Sequence, residues 1–98
     1  MTIDKKWLRK RFSKSDAGYL YVSLLFNEII IRSTDNLPWS VRGLITIDRE
    51  GRYNVYINAR LNRTRMEEAV EHELDHILKG DLESDRDIWE IEDYLSGN

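Results

Sequence analysis

The segment that most constrains the fold is the amphipathic stretch of residues 64–79, which is predicted to form one helix. At about 100° per residue its apolar side chains fall on one face. Asn62 or Thr64 can cap its start, and Gly80 can end it in the left-handed conformation. In a chain of 98 residues, this apolar face must pack against a single small core.

Both histidines of the chain lie on this predicted helix, in the run His72-Glu73-Leu74-Asp75-His76. Positions i and i+4 stand one turn apart, so two neutral imidazoles can bind one metal ion. Glu73 falls beside the apolar stripe, where an ordinary glutamate would lose hydration without compensation. His-Glu-x-x-His is a zinc peptidase signature in which the glutamate is the general base. We therefore predict zinc ligands at His72 and His76 and a catalytic base at Glu73.

A zinc site needs a third protein ligand, and the chain has no cysteine and no further histidine, so that ligand must be a carboxylate. Residues 85–96 are predicted to form a last helix, in which Glu92 lies within the apolar stripe whereas Glu90 points outward. Glu92 is therefore the first choice. Asp81 is the alternative ligand, although it follows His76 so closely in the chain that the geometry for binding the same metal ion is unfavourable. Two histidines and a carboxylate also suit manganese or iron.

The rest of the sequence predicts an α+β domain with the order helix, hairpin, helix, helix. Residues 16–31 are predicted to form a largely buried helix capped by Ser15 or Asp16. The β-branched residues 29–31 disfavour a helix, so the sequence does not fix the residue at which this helix ends. Residues 44–48 and 53–58 are predicted to pair as an antiparallel hairpin.

Charge is unevenly distributed along the chain, whose net charge is −3. Residues 1–14 hold six basic side chains against one acidic, and residues 81–98 hold seven acidic against one basic. The basic arm of residues 1–14 is a candidate contact for a partner, although charge runs are more often solvated surface. The net negative charge argues against direct nucleic-acid binding. No apolar run suits a signal peptide or membrane span, so one cytoplasmic domain of residues 1–98 is expected.

Several motifs together resemble the ImmA/IrrE family of metallopeptidases, which occur in phages, integrative elements and bacterial stress responses. The resemblance covers roughly residues 37–95. The residues that carry it are Leu37-Pro38 with Val41 and Gly43, Ile57-Asn58 with Leu61, and the run 68–77 with Gly80. They follow the family's order of elements.

The resemblance implies a small zincin-like domain and a zinc-dependent endopeptidase. Its expected substrate is a specific intracellular protein, such as a DNA-binding transcriptional repressor. The resemblance also implies zinc ligands at His72 and His76, a base at Glu73, and a ligand glutamate that maps best onto Glu92.

The resemblance further implies that the strand of residues 53–58 lies by the cleft, where an extended substrate can add as a β-strand. Val55, Tyr56 and Ile57 are then candidates for substrate binding, although such alternating apolar residues are also typical of a core. Asp75 departs from the family, which has glycine there, and brings a negative charge near the site.

Two other functions also fit the sequence. A non-catalytic, metal-stabilised module would act by binding a protein partner or DNA, through the basic arm with Trp7 and Phe12. The intact Glu73 argues against it, because a structural zinc site needs no base. A toxin-like protein encoded beside its target is the third hypothesis.

Overall fold

The computed structural model describes residues 2–80, which form three helices and a three-stranded mixed sheet. The elements in chain order are α1 (Lys5–Arg11), α2 (Lys14–Leu25), β1 (Ile29–Thr34), β2 (Gly43–Ile47), β3 (Tyr53–Asn58) and α3 (Arg63–Lys79). This part of the chain is therefore α+β. No helix within it combines the length and apolar character needed to cross a bilayer. The predicted last helix of residues 85–96 lies outside the described residues.

β3 is the central strand of the sheet, whose order is β1-β3-β2. β2 and β3 form the predicted antiparallel hairpin, with Ile45 opposite Val55. β1 runs parallel to β3, with Ile31 opposite Val55. The two edges of the sheet are therefore β1 and β2.

The predicted helix of residues 16–31 is wrong in its second half. α2 is capped by Ser13, earlier in the chain than expected, and it ends at Leu25. Asn27 then takes a φ of 60°, and the next residues enter β1. The β-branched residues 29–31 favour a strand, because they pack well on a pleated surface and lose rotamer freedom in a helix.

Half of the predicted basic arm is a helix packed on the core. The Asp4 carboxylate caps α1 by accepting the Trp7 N–H at 2.8 Å. Trp7 and Leu8 are buried, which turns the neighbouring cationic side chains outward. The core they join contains Ala17, Leu20, Ile29, Ile45, Val55, Ile57, Ala69, Val70, Leu74 and Ile77, so every helix and strand described contributes to it.

α3 confirms the predicted helix and both of its ends. The Asn62 side chain accepts the Arg65 N–H at 2.9 Å, and Gly80 ends the helix with a φ of 67°. The helix packs against β2 and β3 through its buried apolar face. The segment that carries the histidines is therefore anchored to the sheet.

A carboxylate organises the turn between β2 and β3. Asp48 accepts the backbone N–H of Glu50 at 3.0 Å and of Arg52 at 2.9 Å, and it pairs with the Arg52 guanidinium at 2.9 Å. The Arg52 N–H is the largest cause that holds the pKa of Asp48 below its ordinary value, and the Asn54 amide adds to it. The charged carboxylate therefore stabilises the fold above the pKa of the unfolded chain, and this contribution is lost as pH falls through the folded pKa.

We expect Asp48→Asn to lower the free energy of unfolding at neutral pH. The difference from wild type should shrink below about pH 4, because the wild-type carboxyl then becomes protonated as well. Urea denaturation of both proteins across this pH range measures it. Glu50→Gln is the control, since that exposed carboxylate contacts the same guanidinium at 3.3 Å. A difference between wild type and Asp48→Asn that does not vary with pH would contradict the assignment.

Candidate metal centre and cleft

His72 and His76 converge on one side of α3. Their Nε2 atoms are 3.0 Å apart, and the ring centroids are 4.5 Å apart with the planes nearly perpendicular. Two imidazole nitrogens bound to one tetrahedral zinc ion are about 3.3 Å apart, given zinc–nitrogen distances of about 2.0–2.1 Å. The approach is compatible with a shared proton and equally with a shared metal ion. The two side chains therefore fit half of a zinc site.

Glu73 lies on the inner side of the same helical turn. Only 8% of the residue is exposed, as its position beside the apolar stripe predicted. Its Cγ lies against Gly43 at the start of β2, where a Cβ added to the glycine would come within 3.3 Å. The glutamate is thus held between helix and sheet, beside the histidine pair.

An open cleft runs along this part of α3. One wall is the face of the helix that carries His72 and Glu73, and the other is the segment of residues 40–43 that leads into β2. A molecule in the cleft therefore meets an imidazole and the buried carboxylate together.

The second wall of the cleft is held in place by Asn58, at the end of β3. Its amide donates to the carbonyls of Pro38 at 3.3 Å and Val41 at 3.0 Å, and its backbone N–H donates to the Arg42 carbonyl at 2.8 Å. Asn58 is 1% exposed. The sequence motifs assigned this residue no role at the site. The sequence did contain one signal for this role, which is a polar amide at the end of an apolar strand. A buried amide needs hydrogen-bond partners, so it holds neighbouring segments in place.

An exposed aromatic and cation pair stands beside the same wall. The Arg60 guanidinium lies 4.4 Å from the centre of the Trp39 ring and donates to the Leu37 carbonyl at 2.6 Å. Trp39 is 79% exposed. A ring whose face is covered by a cation keeps its other surface available for a bound side chain. No sequence pattern marked this pair.

The strand of residues 53–58 does not offer an edge to a substrate, contrary to expectation. It is the central strand, so its main-chain groups pair with β1 on one side and β2 on the other. Val55 and Ile57 are 0% and 1% exposed and belong to the core, and Tyr56 points to the opposite face of the sheet. The edge next to the cleft belongs to β2.

No third histidine, aspartate or glutamate within residues 2–80 joins the two imidazoles to form a group of metal-binding size. The predicted ligand Glu92, its alternative Asp81 and the neighbouring Glu90 all lie outside the described residues. Asp75 pairs with Lys79 at 2.7 Å, so a cation one turn away offsets the charge that the sequence brings near the site.

Comparison with known proteins found no match to a protein-family model, to a curated protein or to a solved structure. The resemblance to ImmA/IrrE metallopeptidases therefore stays a prediction from the motifs. Several of the motif residues do lie around one cleft, because Asn58 binds the Pro38 carbonyl and Gly43 contacts Glu73.

We expect Gly43→Ala to lower the free energy of unfolding by about 1–3 kcal/mol, the usual cost of overpacking. A Cβ there would stand 3.1 Å from both the Tyr56 carbonyl oxygen and Ile57 Cδ1, and the backbone oxygen cannot turn away. Gly18→Ala in α2 is the matched control. A Cβ at Gly18 meets nothing within 4 Å, so that variant should be stabilised by about 0.5–1 kcal/mol. Chemical denaturation that shows Gly43→Ala as stable as wild type would refute this close approach.

Proposed function

We propose that this chain is a metal-dependent endopeptidase of the ImmA/IrrE type with a zincin-like domain. The main support is the joint placement of His72, His76 and Glu73. The two Nε2 atoms converge, the glutamate is buried beside them, and an open cleft reaches both an imidazole and the carboxylate.

His72 and His76 would hold the metal through Nε2, together with a carboxylate for which Glu92 is the first candidate. A zinc ion held there would supply Lewis-acid chemistry, which activates water as a nucleophile and polarises a substrate carbonyl. Manganese and iron are accepted by the same kinds of ligand.

Glu73 serves as the proton carrier in this mechanism. Its carboxylate takes a proton from the attacking water and then delivers it to the amide nitrogen that leaves when the peptide bond breaks. The Cγ of Glu73 packs close to Gly43, and this close packing limits the positions open to the side chain.

The proposed substrate is an extended segment of an intracellular protein that adds to the outer edge of β2. The Asn58 N–H donates to the Arg42 carbonyl at 2.8 Å, so Arg42 faces β3. Directions alternate along the strand, and the main-chain groups of Gly43, Ile45 and Ile47 therefore face outward. Ile45 is only 3% exposed, so a substrate main chain can pair at Gly43, beside the cleft, which gives affinity that does not depend on side chains. A transcriptional repressor remains the expected substrate by resemblance alone.

A non-catalytic module that binds a protein partner is the second candidate. The supporting observation is a set of exposed apolar side chains on and just after α2, which are Tyr19, Val22, Leu25 and Phe26 at 48–68% exposure. Contiguous exposed apolar surface marks interaction sites. Trp7 cannot serve this role as the sequence suggested, because it is buried in the core.

We expect the purified chain to bind one zinc ion, and His72→Ala or His76→Ala to weaken zinc binding at least about 100-fold. Competition with a chromophoric chelator measures the affinity. Glu50→Gln is the control, since Glu50 is an exposed carboxylate in the β2–β3 turn and does not line the cleft.

The same titration identifies the third ligand. Glu92→Gln should weaken zinc binding and Asp81→Asn should leave it unchanged, and the reverse result would assign the ligand to Asp81. Zinc affinity that is equal in wild type and both histidine variants would exclude the proposed site.

We expect Glu73→Gln to keep its zinc but to lose about 100- to 10,000-fold in cleavage rate, because proton transfer is removed while the ligands remain. Mass spectrometry of new protein N termini in bacterial cells that express the chain measures cleavage even when the substrate is unidentified. Wild type and Glu50→Gln should produce the same new termini. If the zinc-loaded, folded Glu73→Gln protein produces them too, this chain is not the peptidase.

A further inference from the structure

α1 and α2 form an antiparallel hairpin. Two residues, Phe12 and Ser13, join the helices. The Lys5 Nζ, at the start of α1, lies 4.9 Å from the centre of the Tyr21 ring, towards the end of α2. The buried residues of both helices belong to one core. Their exposed sides are therefore neighbours and face away from that core.

The exposed side of α1 and the start of α2 are cationic. Residues 2–27 hold six basic side chains and two carboxylates. One carboxylate, Asp4, caps α1, and one cation, Arg11, is paired with two glutamates of α3. The other five cations are exposed and form no ion pair within the part of the chain that the structure describes; they are Lys5, Lys6, Arg9, Lys10 and Lys14.

The exposed side of α2 is apolar. Its large side chains recur every three or four residues, which places them along one side of the helix. They are between 48% and 68% exposed and comprise Tyr19, Val22, Leu25 and, directly after the helix, Phe26. Ala17 and Leu20 are buried on the opposite side, so the helix cannot bury one set without exposing the other. These side chains and the five cations make up the outer face of the hairpin.

The outer face of the hairpin matches both parts of an anionic lipid surface. Lipid phosphates attract lysine and arginine, and apolar side chains enter the boundary between headgroups and acyl chains. Four of the five cations are lysines, which are depleted in protein–protein interfaces, whereas arginine is enriched there. A nucleic-acid duplex offers phosphates but no counterpart for a row of apolar side chains. An anionic membrane therefore fits this face better than either macromolecule.

We propose that the outer face of the hairpin binds the surface of an anionic bilayer. Leu25 and Phe26 enter the headgroup boundary, and the lysines contact the lipid phosphates. The face contains no residue of the candidate metal site, so the binding does not depend on the proposed peptidase activity. It assigns to lipid the apolar side chains that the non-catalytic alternative assigns to a protein partner.

Co-sedimentation of the full chain with lipid vesicles tests the proposal. The chain should bind vesicles of phosphatidylcholine mixed with phosphatidylglycerol and should not bind vesicles of phosphatidylcholine alone. Added salt should weaken the binding, because it screens exposed charges. A chain that does not bind the mixed vesicles at low salt overturns the proposal, whether or not a protein binds the same face.

Charge removal tests which cations bind the lipid. Lys6→Gln/Lys10→Gln should lower the vesicle partition coefficient about 25-fold, which is about fivefold for each charge. Arg32→Gln/Arg65→Gln is the matched control, since it removes the same charge from exposed side chains on β1 and α3. Equal losses in the two double variants would show that only net charge matters and would overturn the proposed surface.

Truncation of the apolar side chains tests their part in the binding. Leu25→Ala/Phe26→Ala should lower the partition coefficient at least about tenfold, because apolar area no longer leaves water. Trp39→Ala is the control, since Trp39 is a highly exposed aromatic residue outside the hairpin. Circular dichroism checks that each variant is folded. Unchanged binding by the folded Leu25→Ala/Phe26→Ala variant contradicts the proposal.

A fluorescent label distinguishes insertion from adsorption by charge alone. The chain has no cysteine, so Val22→Cys can carry a single environment-sensitive fluorophore. Its emission should shift to shorter wavelength on the mixed vesicles. The same label at Thr64→Cys, an exposed position in the first turn of α3, should not shift. Equal shifts at the two positions, or no shift at either, overturn the proposal.

Discussion

The site depends on the close approach of α3 to the start of β2. Leu74 and Val70 are fully buried and press the helix onto the sheet, and Gly43 leaves room for the side chain of Glu73. Because a helix turns about 100° per residue, His72, which lies between these buried positions, is directed to the cleft. Packing of the apolar face thus determines where the side chains of His72 and Glu73 point.

Buried polar contacts then shape the opposite wall. Asn58 sits among groups that water cannot reach, so its amide must find partners within the protein. It finds them in the Pro38 and Val41 carbonyls, which belong to a segment outside the regular helices and strands. The same hydrogen bonds that satisfy a buried amide also fix the segment that forms this wall of the cleft.

Local signals were sufficient for the elements that interact mainly with their neighbours in sequence. The ends of α3 follow from Asn62 and Gly80, and the β2–β3 hairpin follows from two β-forming runs joined by a short turn. The inward position of Glu73 follows from helical periodicity. The prediction of helix for β1 was wrong because its partner, β3, lies more than twenty residues away, and such pairing leaves no periodic trace in a short apolar run.

The sequence by itself determined the spacing of His72 and His76, the burial of Glu73 and the α+β composition of the described residues. These depend on periodicity and capping, which are properties of a few consecutive residues. Only the tertiary structure decided the order β1-β3-β2, and with it that Val55 and Ile57 lie in a paired central strand. A strand's own sequence records which faces are apolar, but the neighbours along its two edges are set by main-chain hydrogen bonds that nearly every residue type can form.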